Sequence, residues 1–503
     1  MTLHSRRLRF VGLLVVATVA TYVLIVLGTL VSTSGDGALL HLAHGIAALA
    51  TGLALIATAV VARRVGVDRL TGAGIGVALV LFPIQVAIGA TLLVSPSRTV
   101  AVVHLILAMG IFAGLLVALG RTLEVVARAH EDETMERLAR DLDRDDGPDG
   151  RILTAEPPTT ALAPATDTVP APDTASTTDT APAPDTASTT DTRTDAATGA
   201  ESADESRGLT DHLPEPVRSY VALTKPRLMW LLCLVAVAGM GLAATTGATI
   251  DPVTAVATLL GGVLAIGAAG TVNQVYERDR DERMARTDDR PTVDDRVPAW
   301  KGYAFAAALV VAATVVLLVW VNVLATLLTL AAVVYYAVLY TMVLKPRTVW
   351  NTVLGGGAGA LPALIGYAAV TGGVDLSALV LAGVIFLWTP AHFYSLAIAY
   401  REDYARGGFP MLPVVAGDLV ARRHVLGYLG ATMLAVTALG WIAGLGPVYA
   451  LVSIALGVVF LRSVVRQYTA PTTDAALRSF YVSNGYLGML LLAIVVESGL
   501  GVV

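Results

Sequence analysis

Thirteen apolar stretches, each long enough to cross a lipid bilayer, decide most of what this chain can fold into. Four lie at roughly 9–31, 38–62, 70–95 and 100–120, and nine more at roughly 228–247, 253–275, 302–319, 323–343, 350–370, 377–399, 424–443, 447–465 and 480–501. The bilayer core offers a backbone no water, so spans of this length satisfy their own N–H and C=O groups as helices. We expect an all-α polytopic membrane protein, a four-helix block followed by a nine-helix block. A mean hydropathy of +0.70 excludes a soluble domain. The first span follows Arg6, Arg7 and Arg9 and lacks a small-residue cleavage site, which reads as an uncleaved helix. The lone cysteine, Cys233, excludes an intrachain disulfide, a Cys-rich zinc site or a Cys-x-x-Cys-His haem attachment.

Residues 131–215 part the blocks, giving expected domains at 1–130 and 216–503. This segment is rich in Pro, Ala, Thr and Asp, and Pro-Ala-Pro-Asp-Thr-Ala-Ser-Thr-Thr-Asp-Thr occurs twice, at 170–180 and 182–192. It has too little apolar surface to offset its chain entropy and reads as a disordered tether. With the N-terminus in the cytoplasm, the inner loops hold Arg63, Arg64 and Arg69, the arginine-rich 278–296 segment, Lys345 and Arg347, Arg401, Arg406, Arg422 and Arg423, and Arg462, Arg466 and Arg478; the outer loops hold only Arg98. The positive-inside rule then puts the N-terminus and tether in the cytoplasm of a cell-membrane protein, and the C-terminus outside.

Asn273, Glu277 and Asp281 recur at i, i+4 and i+8 at the inner end of a span. On a helix they share one face, drifting about 40° per step, whereas Asp279 points about 240° away from Asn273. Oxygen-only side chains suit a hard cation, Mg²⁺ or alternatively Mn²⁺, completed by phosphate oxygens and water. Arginines 278, 280, 283, 286 and 290 surround them. Acids for a metal, cations for phosphate and a membrane beneath point to chemistry on a lipid diphosphate. The alternative is a solvated loop whose arginines only fix topology. Two further inner loops carry Tyr340-Thr-Met-Val-Leu-Lys345-Pro-Arg347-Thr-Val-Trp-Asn351 and Leu387-Trp388-Thr-Pro390-Ala-His392-Phe393, the latter running into Arg401-Glu402-Asp403-Tyr404 and Gly408-Phe-Pro410-Met-Leu-Pro413; Leu223-Thr-Lys225-Pro226-Arg227 precedes the first span of the block.

With these residues the nine-helix block resembles the intramembrane UbiA prenyltransferase superfamily, which carries Asn-x-x-x-Asp-x-x-x-Asp after its second helix. Within it the block is similar to the haem farnesyltransferases (haem O synthases), whose motifs match Leu223–Arg227, Asn273–Pro291, Leu387–Phe393 and Asp403–Pro413. The resemblance implies Mg²⁺ on Asn273, Glu277, Asp281 and Asp403, bridging the diphosphate of farnesyl diphosphate. It implies that Arg286, Arg290, Lys345 and Arg347 neutralise the leaving group, with Lys225, Arg227 and Asn351 as further substrate-binding groups. Farnesyl would pass to a vinyl group of haem B. His392 would touch the haem iron or a propionate, or else is satisfied by a backbone carbonyl. Two departures stand out: Glu277 replaces the family's first aspartate, and Ala399 stands four before Asp403, where the superfamily often has a second acid. Competing readings are prenylation of a quinone precursor or lipid, and a non-catalytic haem carrier or oxidase-assembly protein. No nucleic-acid partner is expected.

The four-helix block repeats itself weakly. Gly28-Thr29-Leu30 leads to His41 and His44, and Gly89-Ala90-Thr91-Leu92 leads to His104. Two histidines at one depth could clasp a haem iron; the alternative is polar bonding between helices. The block resembles one half of haem A synthase, which implies His44 and His104 as haem ligands, with His41 a third candidate. His41 stands where that family's catalytic half has Glu. A two-half assembly would need a dimer or a separate haem A synthase or oxidase-assembly partner.

Overall fold

The computed structural model describes residues 3–34, 37–145 and 212–499. Among them, thirteen helices are long and apolar enough to cross a membrane, as the sequence predicts. The first block is α1 (Leu3–Ser34), α2 (Ala38–Val65), α3 (Arg69–Val94) and α4 (Arg98–Asp145). α4 runs on past the domain boundary expected near residue 130; the rest of the expected tether, 146–211, lies outside the described residues. A short helix, α5 (Glu215–Leu223), precedes the second block: α6 (Pro226–Ala244), α7 (Pro252–Asp281), α8 (Ala299–Trp320), α9 (Val323–Val334), α10 (Asn351–Thr371), α11 (Leu376–Ala399), α12 (Arg401–Arg406), α13 (Leu412–Ala416), α14 (Asp418–Ala443), α15 (Pro447–Thr469) and α16 (Thr473–Gly499). α9 continues without a break as a π-helix over Tyr335–Leu344.

Helix starts follow local chemistry. Asp68, Asp251, Asn322 and Asp375 accept from the backbone N–H three residues on (Thr71, Thr254, Ala325 and Ala378), capping α3, α7, α9 and α11. α15 is capped from far away in sequence: buried Glu497 of α16 accepts from Gly446 N (2.7 Å) and Tyr449 N (2.9 Å).

Residues 1–132 and 214–503 belong to one compact unit; of the second unit, 133–213, the described part is chiefly the last turns of α4. In the first unit half of the most apolar stretch of α1 is buried, against much smaller shares in α2, α3 and α4, so α1 seats the four-helix block. It packs on α14 and α15, where Tyr22 lies against Gly457. α4 adds buried Glu124, which accepts from both Nε and Nη2 of Arg423 on α14.

The nine-helix block closes on small residues. α6 and α10 cross so tightly that a Cβ on Gly239 would lie 2.3 Å from Ala363 O, and one on Gly366 would lie 2.0 Å from Ala236 O.

Candidate active site

α7 delivers the acid row. One face of its last two turns is buried: Asn273 and Glu277 are each 2% exposed and Asp281 is 0% exposed. Asp279 points outward and pairs with Arg278, as the helical spacing requires. Each buried oxygen group meets a cation or amide from elsewhere. Lys345 Nζ, at the end of the π-helix, donates to Glu277 Oε2 at 2.6 Å. Arg290, from the loop after α7, donates to Asp281 Oδ2. Lys225 donates to Asn273 Oδ1, and Asn273 Nδ2 donates to Thr341 Oγ1 at 3.1 Å.

The seat of Lys225 is specialised. Its backbone is left-handed, φ 55°, at the N-cap of α6. Such a conformation in a non-glycine residue persists only where surrounding structure enforces it. Gln274 supplies that force: its Nε2 donates to Ala222 O and Leu223 O, each at 3.1 Å. Gly270, three residues before Asn273, leaves α7 bare where this turn crosses. Burial and the nearby Arg290 push the Lys225 ammonium down to about 7, against the pull of Glu277.

The third loop closes over the first through a small core of Met284, Ala397, Tyr404, Phe409 and Met411. Lys345 Nζ lies 4.3 Å from the Phe409 ring centroid, and Arg280 Cζ 5.1 Å. Arg286 lies over Tyr400 and Tyr404 and donates to Tyr404 Oη at 3.4 Å. Asp403 is 8% exposed and accepts from Arg406, one helical turn on.

Arg347, Asn351 and His392 make their hydrogen bonds to groups other than these acids. Arg347 is exposed and donates to Met342 O at 2.6 Å. Asn351 satisfies itself locally, donating to Thr348 O and accepting from Thr352 Oγ1. Arg227 is exposed on the first turn of α6. His392 is stacked between Trp388 (4.4 Å) and Phe480 (4.3 Å), and its Nδ1 lies 2.7 Å from Ser483 Oγ. Because Ser483 donates its one hydroxyl proton to Phe480 O, we assign Nδ1 as the protonated ring nitrogen.

Among the described residues, no three His, Cys, Asp or Glu side chains converge as an all-protein metal cage. The α7 row still fits a hard cation that keeps substrate oxygens and water. Glu277 Oε1 and Asp281 Oδ1 are buried, share one helix face and have no hydrogen-bond partner.

In the four-helix block, Gly28 of α1 faces His44 of α2, and Gly89 of α3 faces His104 of α4; a Cβ on either glycine would lie 3.0 Å or 3.5 Å from the imidazole Cε1. The internal repeat is therefore a repeated glycine-on-histidine contact. The Nδ1 of His44 and the Nδ1 of His104 are each buried without a partner. His41 Nδ1 is engaged with Gly37 O at 3.3 Å.

The UbiA prenyltransferase family model matches residues 232–489. Protoheme IX farnesyltransferase 2 of Natronomonas pharaonis is 46% identical over 492 residues, covering 97% of this chain and 99% of that relative. The chain belongs to the UbiA prenyltransferase family, among the protoheme IX farnesyltransferases. Protoheme IX farnesyltransferase of Halobacterium salinarum is 42% identical and covers 97% of this chain and 98% of its own. Protoheme IX farnesyltransferase 1 of Saccharopolyspora erythraea, 42% identical over 290 residues, covers only 56% of this chain but 90% of its own.

Sequence reasoning missed several residues at this candidate site. Arg406 had a local signal, its i+3 spacing from Asp403. Thr341, Tyr336 and Phe409 had no signal of their contacts: Thr341 accepts from Asn273, Tyr336 Oη accepts from Lys225 Nζ at 3.5 Å, and the Phe409 ring lies beside Lys345. The π-helix and the folded third loop bring them there.

Proposed function

We propose that this enzyme transfers the farnesyl group of farnesyl diphosphate to a vinyl carbon of haem B, giving haem O and pyrophosphate. The observation that carries the reading is the pair of buried, unpartnered carboxylate oxygens, Glu277 Oε1 and Asp281 Oδ1, among cations at the end of a membrane helix. End-to-end relatives named protoheme IX farnesyltransferase support haem as acceptor over a quinone precursor or lipid.

Asn273, Glu277 and Asp281 would hold Mg²⁺, or Mn²⁺, with Asp403 on the facing loop. Bound there, the metal supplies Lewis-acid charge to the departing diphosphate. Lys345 and Arg290 bring fixed positive charge to the remaining phosphate oxygens, joined by Lys225 in its protonated form, in a site already built before the reaction. The carbon–oxygen bond breaks and its electron pair leaves with pyrophosphate. The π pair of the haem vinyl group closes the new carbon–carbon bond. Water then adds at the carbon left positive and gives up a proton, completing a hydroxyethylfarnesyl side chain. The arginine bias of the loops supports a cytoplasmic active-site face and a C-terminus outside.

Membranes supplied with haem B, farnesyl diphosphate and Mg²⁺ are expected to yield haem O, read by chromatography and mass of the extracted haems. Folded protein that releases pyrophosphate only with a different acceptor would move the reading to a quinone or lipid substrate.

The four-helix block is proposed to hold a haem between His44 and His104. Its supports are the paired glycine seats and the two unpartnered ring nitrogens. A complete two-half assembly would then come from a dimer or a separate haem A synthase or oxidase-assembly partner. His44→Ala or His104→Ala should shift the haem absorption spectrum and release haem. An unaltered spectrum in both variants would reduce the histidines to contacts between helices.

A further inference from the structure

Each of the four oxygen side chains proposed for the metal is already partnered by a basic group: Asn273 by Lys225, Glu277 by Lys345, Asp281 by Arg290 and Asp403 by Arg406. The pairing is selective. Arg283 and Arg347 are as near in sequence but bond the backbone carbonyls of Asp279 and Met342, and Arg296 bonds Asp289 O and the exposed Asp294 carboxylate rather than the buried row. We propose that Lys345 and Arg290 are exchangeable counter-ions. They hold Glu277 and Asp281 until metal and diphosphate arrive, then pass to the diphosphate oxygens as the metal takes the carboxylates.

The proposal rests on the metal–diphosphate reading above. Its physical basis is that no charge here can be released alone. The side chains of Glu277 and Asp281 are 2% and 1% exposed, and those of Lys345 and Arg290 only 14% and 22%. A metal arriving by itself would leave two cations largely buried and unpaired, and breaking one side of such a pair is costly. Diphosphate arriving by itself would draw the cations away and leave two bare carboxylates. Arriving together, the ligands leave every charge partnered. The free oxygens Glu277 Oε1 and Asp281 Oδ1 give the metal a first foothold while the counter-ions are still in place. The face of Phe409 keeps the Lys345 ammonium company as it moves. Metal and diphosphate must then raise each other's affinity by the same factor.

The test measures protein-bound Mn²⁺ by equilibrium dialysis of the full-length protein in detergent, with inorganic pyrophosphate as the probe and the Mn²⁺–pyrophosphate complex of free solution subtracted by a protein-free control. Wild type should bind Mn²⁺ about tenfold more tightly with pyrophosphate than without, within the range usual for coupled sites. Lys345→Met and Arg290→Met should each bind Mn²⁺ alone more tightly than wild type and lose most of the pyrophosphate enhancement. Lys345→Arg keeps the charge and should behave as wild type, which separates loss of the counter-ion from misfolding. The proposal fails if both methionine variants bind Mn²⁺ alone no better than wild type, or if pyrophosphate has no effect on wild type. Wild-type protein that binds no Mn²⁺ even with pyrophosphate would overturn the metal–diphosphate reading itself.

Discussion

Asp281→Asn is expected to lower farnesyl transfer by about 10³-fold while the protein still folds, a loss of the size seen when one preformed electrostatic contact to a transition state is removed. Asp281 is fully buried, with Oδ1 unpartnered and Oδ2 on Arg290. An amide there keeps the shape but removes the charge, and its NH₂ can donate to neither a metal nor the Arg290 guanidinium. The folding cost is small by comparison. The asparagine carbonyl oxygen can still accept from the largely buried Arg290, so exchanging the ion pair for a charged hydrogen bond should cost about 2 kcal/mol. Turnover of the purified variant, read beside its thermal midpoint, checks both halves. Wild-type turnover would remove Asp281 from the chemistry and favour a haem carrier; a collapsed midpoint would make the residue structural.

Gly366→Ala is expected to do the reverse and destabilise the fold. The added Cβ would lie 2.0 Å from Ala236 O and 2.7 Å from Ala236 C, both backbone atoms of α6. No rotamer relieves that contact, so α6 and α10 must separate, at about 3 kcal/mol. The damage reaches the site, because α6 starts just after Lys225 and α10 starts on the loop that Lys345 opens. Gly430→Ala is the informative control. Its Cβ would also lie 2.0 Å from a neighbour, but that neighbour is Leu116 Cδ2, the end of a flexible side chain. Monodisperse protein recovered in detergent should fall several-fold for Gly366→Ala and stay near wild type for Gly430→Ala. Equal recoveries of the two variants would show that backbone contact does not set the cost.

The helices were legible because bilayer length and apolar composition leave a chain few choices. The acid row was legible because its three residues share a single helix, where spacing alone fixes the face. The partners of that row were not. Lys225 lies 48 residues from Asn273 and Lys345 lies 68 from Glu277, and local periodicity does not reach across such separations. Arg347 shows the same limit. It is two residues from Lys345 and carries the same charge, but it turns to Met342 O because its side chain leaves the loop in another direction. Gly355 and Gly357 make room in the fold for the rings of Tyr340 and Tyr335, contacts that no local spacing announces.

The π-helix that ends at Leu344 separates two demands that a regular helix ties together. Lipid thickness dictates how far α9 and its extension must rise, and catalysis dictates which way Lys345 must point when the helix ends. In an α-helix one residue count sets both rise and rotation. Over Tyr335–Leu344 the backbone instead closes rings one residue longer, Lys345 N bonding Tyr340 O at 2.9 Å. Rotational phase can thus be adjusted while the 22-residue crossing stays intact. The ammonium that meets Glu277 is aimed from inside the membrane, by the pitch of the helix beneath it.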